Sequence, residues 1–270
     1  MNPDPVALLS LASATAREAG AMIAARAGHL RTDVATKSTP TDMVTEVDRD
    51  SEALIVARIL AARPADAILG EEGGGQPGTS GVRWVIDPLD GTTNYLYGYP
   101  AYAVSIAAER HGEVVAGVVF DASRGDIFEA ALGHGATLNG QPIRISGKTD
   151  LATALTGTGV GYDPERRALQ GAVLAHLLPC IRDIRRGGSA ALDLCAVACG
   201  RLDAFFELGL GPWDWAAASL VIREAGGATF ARIEDGAISL VVAGEVSLVP
   251  PLRDLVLQFE AAHLARPQMA

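Results

Sequence analysis

Apolar residues recur along this chain in two rhythms, helical in some stretches and strand-like in others. Leu8, Leu9, Met22 and Ile23 punctuate an Ala-rich run from Pro5 to His29, which predicts an amphipathic helix. The polar stretch from Arg31 to Asp42, containing Pro40, reads as a loop or short hairpin. A second helix is expected over Asp48–Ala62, stopped by Arg63-Pro64. Short apolar and β-branched runs then predict strands at Ala67–Leu69, Arg83–Ile86, Ala101–Arg110, Val114–Asp121 and Asp126–Ala130. His111-Gly112 suits a hairpin turn between Arg110 and Glu113, and Gly73–Gly81 reads as a mobile loop.

Beyond Lys148 strand and helix alternate. Strands are predicted at Leu155–Thr158, Cys180–Arg185, Ala204–Glu207 and Ile238–Ala243. Helices are predicted at Pro164–Leu178, Ser189–Cys199, Trp213–Ala225 and Pro250–Leu264. An antiparallel α+β half over residues 1–147 and an α/β half over 148–270 follow from this pattern, the two working as one unit.

The chemistry concentrates in Trp84-Val85-Ile86-Asp87-Pro88-Leu89-Asp90-Gly91-Thr92-Thr93-Asn94. Pro88 prevents the strand from continuing regularly, so Asp87 and Asp90 are expected to emerge together beyond its end. Hard divalent cations take such oxygen ligands, and Mg²⁺ typically engages one or two carboxylates while water and phosphate hold its other positions. The amides of Gly91, Thr92 and Thr93 are placed to open a helix, whose free N–H groups favour phosphate. Two further acidic elements flank this segment: Gly70-Glu71-Glu72-Gly73-Gly74-Gly75 upstream, and Gly211-Pro212-Trp213-Asp214-Trp215 downstream. Alone, the two glutamates read as solvated loop charges and Asp214 as a helix N-cap or first-turn acid. Asp48 reads as an N-cap on the same grounds. Together the three acidic elements point to a metal-assisted phosphate site.

Composition narrows the partners. The net charge of −10 makes nucleic acid and anionic membrane poor partners, while an anionic substrate stays compatible if bound cations invert the local field. Cys180, Cys195 and Cys199 do not suggest a secreted disulfide framework, and Cys195 and Cys199 read as core residues on one helix face. With no signal peptide and no uninterrupted apolar run of membrane-spanning length, a cytoplasmic protein is expected.

Gly-Glu-Glu, then Asp-Pro-Leu-Asp-Gly-Thr-Thr-Asn, then Trp-Asp with Glu-Ala-Gly-Gly behind it resembles the inositol monophosphatase family of lithium-sensitive, Mg²⁺-dependent sugar phosphatases. The similarity runs from Lys37 to Gly227 and favours the bacterial branch through Gly188-Ser189-Ala190-Ala191-Leu192-Asp193-Leu194 and Tyr99–Ile106. The resemblance implies a layered αβαβα fold with the active site between the halves. It implies that Glu71, Asp87 and the Leu89 carbonyl bind one Mg²⁺, and that Asp87 bridges to a second held by Asp90 and Asp214. A third, weaker ion is implied near Glu71 beside the loop carrying Lys37. Glu71 and Thr92 would orient the attacking water, with Asp48 polarising the Thr92 hydroxyl.

The same resemblance puts substrate contacts at Leu89, Asp90, Gly91, Thr92, Gly188, Ser189, Ala190, Glu207 and Asp214. Arg185 matches either a substrate-side arginine or, with Arg186, a subunit-interface ion pair. A homodimer is implied, with Leu192, Leu194 and Val197 as its apolar support or as protomer core. Gly187 and Leu210-Gly211-Pro212 depart from the usual pattern, and Gly187 makes the segment before Ser189 look flexible. Inositol 1-phosphate is the expected substrate. Fructose 1,6-bisphosphate, histidinol phosphate and nucleotide 3′-phosphates are the alternatives within the chemistry, and a transcription-associated binding protein is the alternative outside it.

Overall fold

Asp4 begins the folded chain by capping its first helix, accepting from the Val6 N–H at 3.2 Å while Pro5 occupies a first-turn position that needs no donor. The computed structural model describes residues 3–28, 35–36 and 43–265. Helix α1 (Pro5–Arg26) is followed by a two-residue ladder of β1 (Ala35–Thr36) and β2 (Met43–Val44), and then by α2 (Glu46–Ala62). Most of the stretch from Arg31 to Asp42, Lys37 included, lies outside the described residues.

Seven strands form the first sheet in chain order: β3 (Ala67–Gly70), β4 (Val82–Asp90), β5 (Ala103–Arg110), β6 (Glu113–Asp121), β7 (Asp126–Ala131), β8 (Ala136–Leu138) and β9 (Gln141–Pro142). Only β3 and β4 pair in parallel, and the short helix α3 (Thr92–Tyr97) separates β4 from β5. The second sheet has the order β11-β10-β12-β14-β13, built from β10 (Leu155–Thr158), β11 (Asp183–Arg185), β12 (Ala204–Glu207), β13 (Ala228–Glu234) and β14 (Ala237–Gly244). Helices α4 (Pro164–Leu177), α5 (Ala190–Ala198), α6 (Pro212–Glu224) and α7 (Val249–Leu264) complete it.

Period-two alternation decides how the layers stack. Trp84, Ile86, Ile106 and Val118 point to one face of the first sheet, where α1 and α2 pack. Val85, Ala107 and Val119 point to the other, against α5, α6 and the inner face of the second sheet through Phe205, Val241 and Ala243. Phe206, Leu240 and Val242 face outward from the second sheet onto α4 and α7. The result is the five-layer αβαβα arrangement. Each fully buried aliphatic side chain contributes about 1.5–3 kcal/mol by leaving water. Alanines bring α1 and α6 close to their sheet: a methyl on Gly117 of β6 would stand 2.7 Å from the Ala217 carbonyl oxygen.

Several elements differ from expectation. Strand Cys180–Arg185 shrinks to β11, because Leu178–Cys180 forms a 3-10 turn. Strands β8, β9 and β13 are additional; the first two are too short to show a period, and β13 is a half-buried edge. Helix α1 does have the length and hydropathy to cross a membrane, yet its stripe of Leu8, Ala12, Ala16, Ala19 and Ile23 is fully buried against the sheet and α2. Loop Gly73–Gly81 is tied down rather than loose: Gln76 bridges to Ile68, and the Thr79 and Ser80 N–H groups donate to the Ala65 carbonyl. Leu194 and Val197 are interior, while Leu192 is half-buried against the same core.

Candidate active site

A bulge in β4 brings the two aspartates together. Asp87 pairs with Ser105 and Asp90 with Ala103, so three steps on β4 oppose two on β5. Residues three apart on a regular strand point to opposite faces, and the extra residue restores them to one side. The proline is accommodated at this irregularity, inside the strand's last turn rather than beyond its end. The Leu89 N–H donates to Asp87 Oδ1 at 3.0 Å, and the Pro88 carbonyl accepts from Ser51 of α2 at 2.9 Å. Gly91 follows with φ +94°, and a methyl there would lie 2.8 Å from the Ala101 carbonyl oxygen, so only glycine fits.

Asp90 and Asp214 are each held by the start of a helix. Asp90 Oδ2 accepts from the Ser189 hydroxyl at 2.5 Å and from the Ala191 N–H at 2.7 Å, at the positive end of α5. Asp214 sits in the first turn of α6, where Oδ2 accepts the Gly211 N–H at 2.6 Å. Ser105 of β5 donates to the Trp213 carbonyl at 3.1 Å, fixing that turn to the first sheet. Ligand oxygens of Asp87, Asp90 and Asp214 lie within 4.8 Å of one another. The Glu71 carboxyl hydrogen-bonds to Asp87, which also meets Asp214; carboxyls this close need protons or a cation between them.

Burial followed by the charges of neighbouring acids raises Asp87 and Asp214 well above the ordinary carboxylate range. Burial pushes Asp90 up to about 6, against the bonds from Ser189 and Ala191.

Asp48 lies behind this cluster. Thr45, not Asp48, is the N-cap of α2, and Asp48 at the third helical position closes a capping box with it. Asp48 Oδ2 accepts from the Thr45 N–H at 2.8 Å and from the Thr45 hydroxyl. Its Oδ1 accepts from the Thr92 hydroxyl at 2.8 Å, and the Leu89 carbonyl lies 3.1 Å from the same hydroxyl. Glu52, one turn further along α2, accepts the Glu72 N–H at 3.0 Å and the Gly74 N–H at 2.8 Å, which fixes the loop that carries Glu71.

A cavity of about 470 Å³ opens in front of these groups. Glu71, Asp87, Leu89, Asp90, Gly91, Thr92, Gly188, Ser189, Ala190, Glu207 and Asp214 all line it. Glu207, at the end of β12, is buried, and burial with the nearby Asp214 and Asp90 charges raises its carboxyl well above the usual range. Seven carboxyl groups share this wall with two guanidinium groups, Arg166 and Arg186.

The chain matches the inositol monophosphatase family model over residues 4–250. The inositol monophosphatase family contains this chain. Inositol-1-monophosphatase SuhB of Mycobacterium tuberculosis is 46% identical over 241 residues, covering 83% of each chain. A protein of Xylella fastidiosa named Nus factor SuhB is 46% identical over 215 residues, covering 78% of this chain and 77% of that one. The crystal structure of extragenic suppressor protein suhB from Bartonella henselae superposes with a TM-score of 0.86 at 34% identity, covering 93% of this chain and 98% of that one.

Inositol monophosphatase family members are metal-dependent phosphatases acting on phosphorylated small molecules, and this donor set fits a hard cation. Three convergent carboxyls, raised chiefly by burial, are the oxygen donors that a hard divalent cation takes. Arg185 stands apart from it. Its side chain is exposed, pairs with Asp183 at 2.8 Å and does not line the cavity, because it alternates outward on an edge strand. Arg186 takes the inward place.

Residues given no site role by the sequence also line the wall: Arg166, Asp193 and the segment from Thr158 to Asp163, together with Arg186, which the sequence offers only as an interface residue. A usable signal existed, since α/β sites gather at the carboxyl ends of strands, and Thr158 and Glu207 end the parallel neighbours β10 and β12.

Proposed function

We propose that this protein is a Mg²⁺-dependent phosphomonoesterase that hydrolyses inositol 1-phosphate. The observation that carries the proposal is the convergence of Asp87, Asp90 and Asp214 within 4.8 Å in the wall of a cavity that Glu207 also lines. Glu71, Asp87 and the Leu89 carbonyl would hold one Mg²⁺; Asp87, Asp90 and Asp214 would hold a second, with a third, weaker ion near Glu71. When bound, the ions supply positive charge that offsets the transferring phosphoryl group and makes water more acidic.

The protein's own groups do the positioning. Thr92 has one hydroxyl proton and two acceptors in reach; the charged Asp48 carboxylate at 2.8 Å is preferred to the Leu89 carbonyl at 3.1 Å. That leaves a Thr92 lone pair to accept from a water on the cavity side. Glu71 offers a second acceptor, and two acceptors fix a water's orientation. Gly91 and Thr92 border the phosphate end. Ser189, Ala190, Gly188 and Glu207 would face the alcohol part of the substrate, where a buried carboxyl suits neutral hydroxyls better than a second phosphate. Lithium inhibition and pairing into a homodimer belong to the same reading and rest on the family alone.

Phosphate release from four esters at saturating Mg²⁺ tests this: inositol 1-phosphate, fructose 1,6-bisphosphate, histidinol phosphate and adenosine 3′,5′-bisphosphate. The inositol ester is expected to lead. A wide margin for histidinol phosphate or the nucleotide overturns the substrate, and no Mg²⁺-dependent release from any ester overturns the phosphatase.

The Xylella fastidiosa relative's name favours a second reading, a transcription-associated binding role. The intact acidic cluster supports catalysis alongside it. Cellular function retained by a hydrolytically dead Asp214→Asn protein would separate the two roles.

A further inference from the structure

Gly187 stands in a crowded notch beside the first turn of α5. Its φ lies outside the left-handed region, so the backbone would accept any residue there. Space does not: a methyl on Gly187 would stand 2.4 Å from Asp193 Oδ1. Asp193, in the first turn of α5, occupies that notch and accepts the Gly187 N–H through Oδ2 at 3.0 Å. From the other side Asn94 donates to the Gly187 carbonyl at 2.9 Å and to the Ala101 carbonyl at 2.7 Å. The segment before Ser189 is therefore pinned on both sides, and the glycine makes room for a carboxyl.

That carboxyl lines the cavity. An ionised carboxylate has about four acceptor sites, and among the described residues Asp193 receives one hydrogen bond, from Gly187. We infer that Asp193 is a specificity-determining acceptor for hydroxyls on the alcohol part of the substrate, admitted to the cavity by the missing side chain of Gly187. This rests on the phosphomonoesterase reading above. With the acidic cluster marking the phosphate end, a carboxyl elsewhere on the wall takes neutral donors rather than a second phosphate, even with Arg186 nearby. Glu207 reaches the cavity from β12 and Asp193 from α5, so the two carboxyls read different hydroxyls. The substrate class they select is a polyol phosphate rather than the ester of a simple alcohol. Burial holds Asp193 at about 7 against the Gly187 N–H and the Arg186 charge, and a carboxyl in either form hydrogen-bonds to a hydroxyl.

The test is the ratio of kcat/KM for inositol 1-phosphate to kcat/KM for p-nitrophenyl phosphate, whose alcohol part carries no further hydroxyl. Asp193→Ala is expected to lower that ratio about ten-fold, mainly through KM for the inositol ester. Gly187→Ala keeps the carboxyl but displaces it, and is expected to lower the ratio in the same direction. Circular dichroism establishes that both variants are folded. A ratio within two-fold of the parent's in both folded variants overturns the inference and leaves Asp193 a structural pin. Absence of Mg²⁺-dependent turnover of either ester by the parent protein overturns the phosphatase reading and this inference with it.

Discussion

The Thr92 hydroxyl donates to Asp48 across 2.8 Å, joining the first turn of α3 to the first turn of α2 over 44 positions of sequence. The other Asp48 oxygen is already committed to Thr45, whose N–H donates to it at 2.8 Å. One buried carboxylate thus closes a helix and holds a cavity hydroxyl in a single orientation. The cap makes the acceptor rigid, and rigidity is what an oriented hydroxyl needs.

Asp48→Asn cannot accept at both ends, since one of its terminal groups is now a donor. Turnover should fall about a hundred-fold, in the range for a positioned proton-handling group, with about 1 kcal/mol lost from the cap. Steady-state kinetics and thermal melts measure the two effects separately. A destabilised variant with turnover within a few-fold of the parent's would leave Asp48 a cap and nothing more.

Asp214→Asn should abolish turnover without unfolding the chain. The amide oxygen can still accept the Gly211 N–H that the carboxylate now takes at 2.6 Å, so α6 keeps its first turn. What disappears is one negative charge of the three that converge. Circular dichroism checks the fold and phosphate release at saturating Mg²⁺ checks activity; a folded variant with near-parental activity would remove Asp214 from the site.

Stability without divalent cations should fall as pH rises from 5 to 7. Asp87, Asp90 and Asp214 all have folded-state values above the unfolded carboxyl value, Asp90 at about 6. Each therefore stabilises the fold below its unfolded value and loses that contribution as pH rises through its folded value. A cation that binds the ionised acids should reverse the loss, so Mg²⁺ should raise Tm more at pH 7.5 than at pH 5, where protons compete for the same oxygens. Calorimetry of EDTA-treated protein with and without Mg²⁺ measures this. Equal increments at both pH values would place the cation elsewhere.

The helical and strand periods carry most of the architecture: β10 and β12 match the predicted Leu155–Thr158 and Ala204–Glu207 to the residue, and Asp214 stands just inside the helix where the sequence puts it. What the pattern does not carry is register. The bulge between Asp87 and Asp90 exists only in relation to β5, and no property of β4 alone says how two strands count against each other. Arg185 and Arg186 show the same limit at an edge strand, where one position decides which guanidinium reaches the cavity. Asp193 was hidden because its meaning depends on Gly187, six residues away and on a different element. Gly73–Gly81 reads as loose from composition, yet a carboxylate twenty-two positions before Gly74 holds its start.

That carboxylate, Glu52, gives the remaining prediction. It accepts the Glu72 and Gly74 N–H groups with its two oxygens, and methyls on Gly70 or Gly74 would stand 2.2 Å and 2.5 Å from those oxygens. The glycines around Glu71 are therefore small because Glu52 fills the space beside them. Glu71 itself is fixed through its backbone, its N–H donating to the Ile86 carbonyl at 3.1 Å and so continuing the β3–β4 ladder. Glu52→Gln keeps the shape but turns one acceptor into a donor facing an N–H, which should cost about 1–3 kcal/mol. The loop would shift at Glu72 and Gly74, and Glu71 between β3 and that loop would lose its alignment with Asp87. Half-saturation by Mg²⁺ should then rise several-fold while KM for the inositol ester, measured at saturating Mg²⁺, changes little. Mg²⁺ titrations of initial rate decide it: an unaltered half-saturation in a destabilised variant would mean that Glu52 holds the loop without setting Glu71.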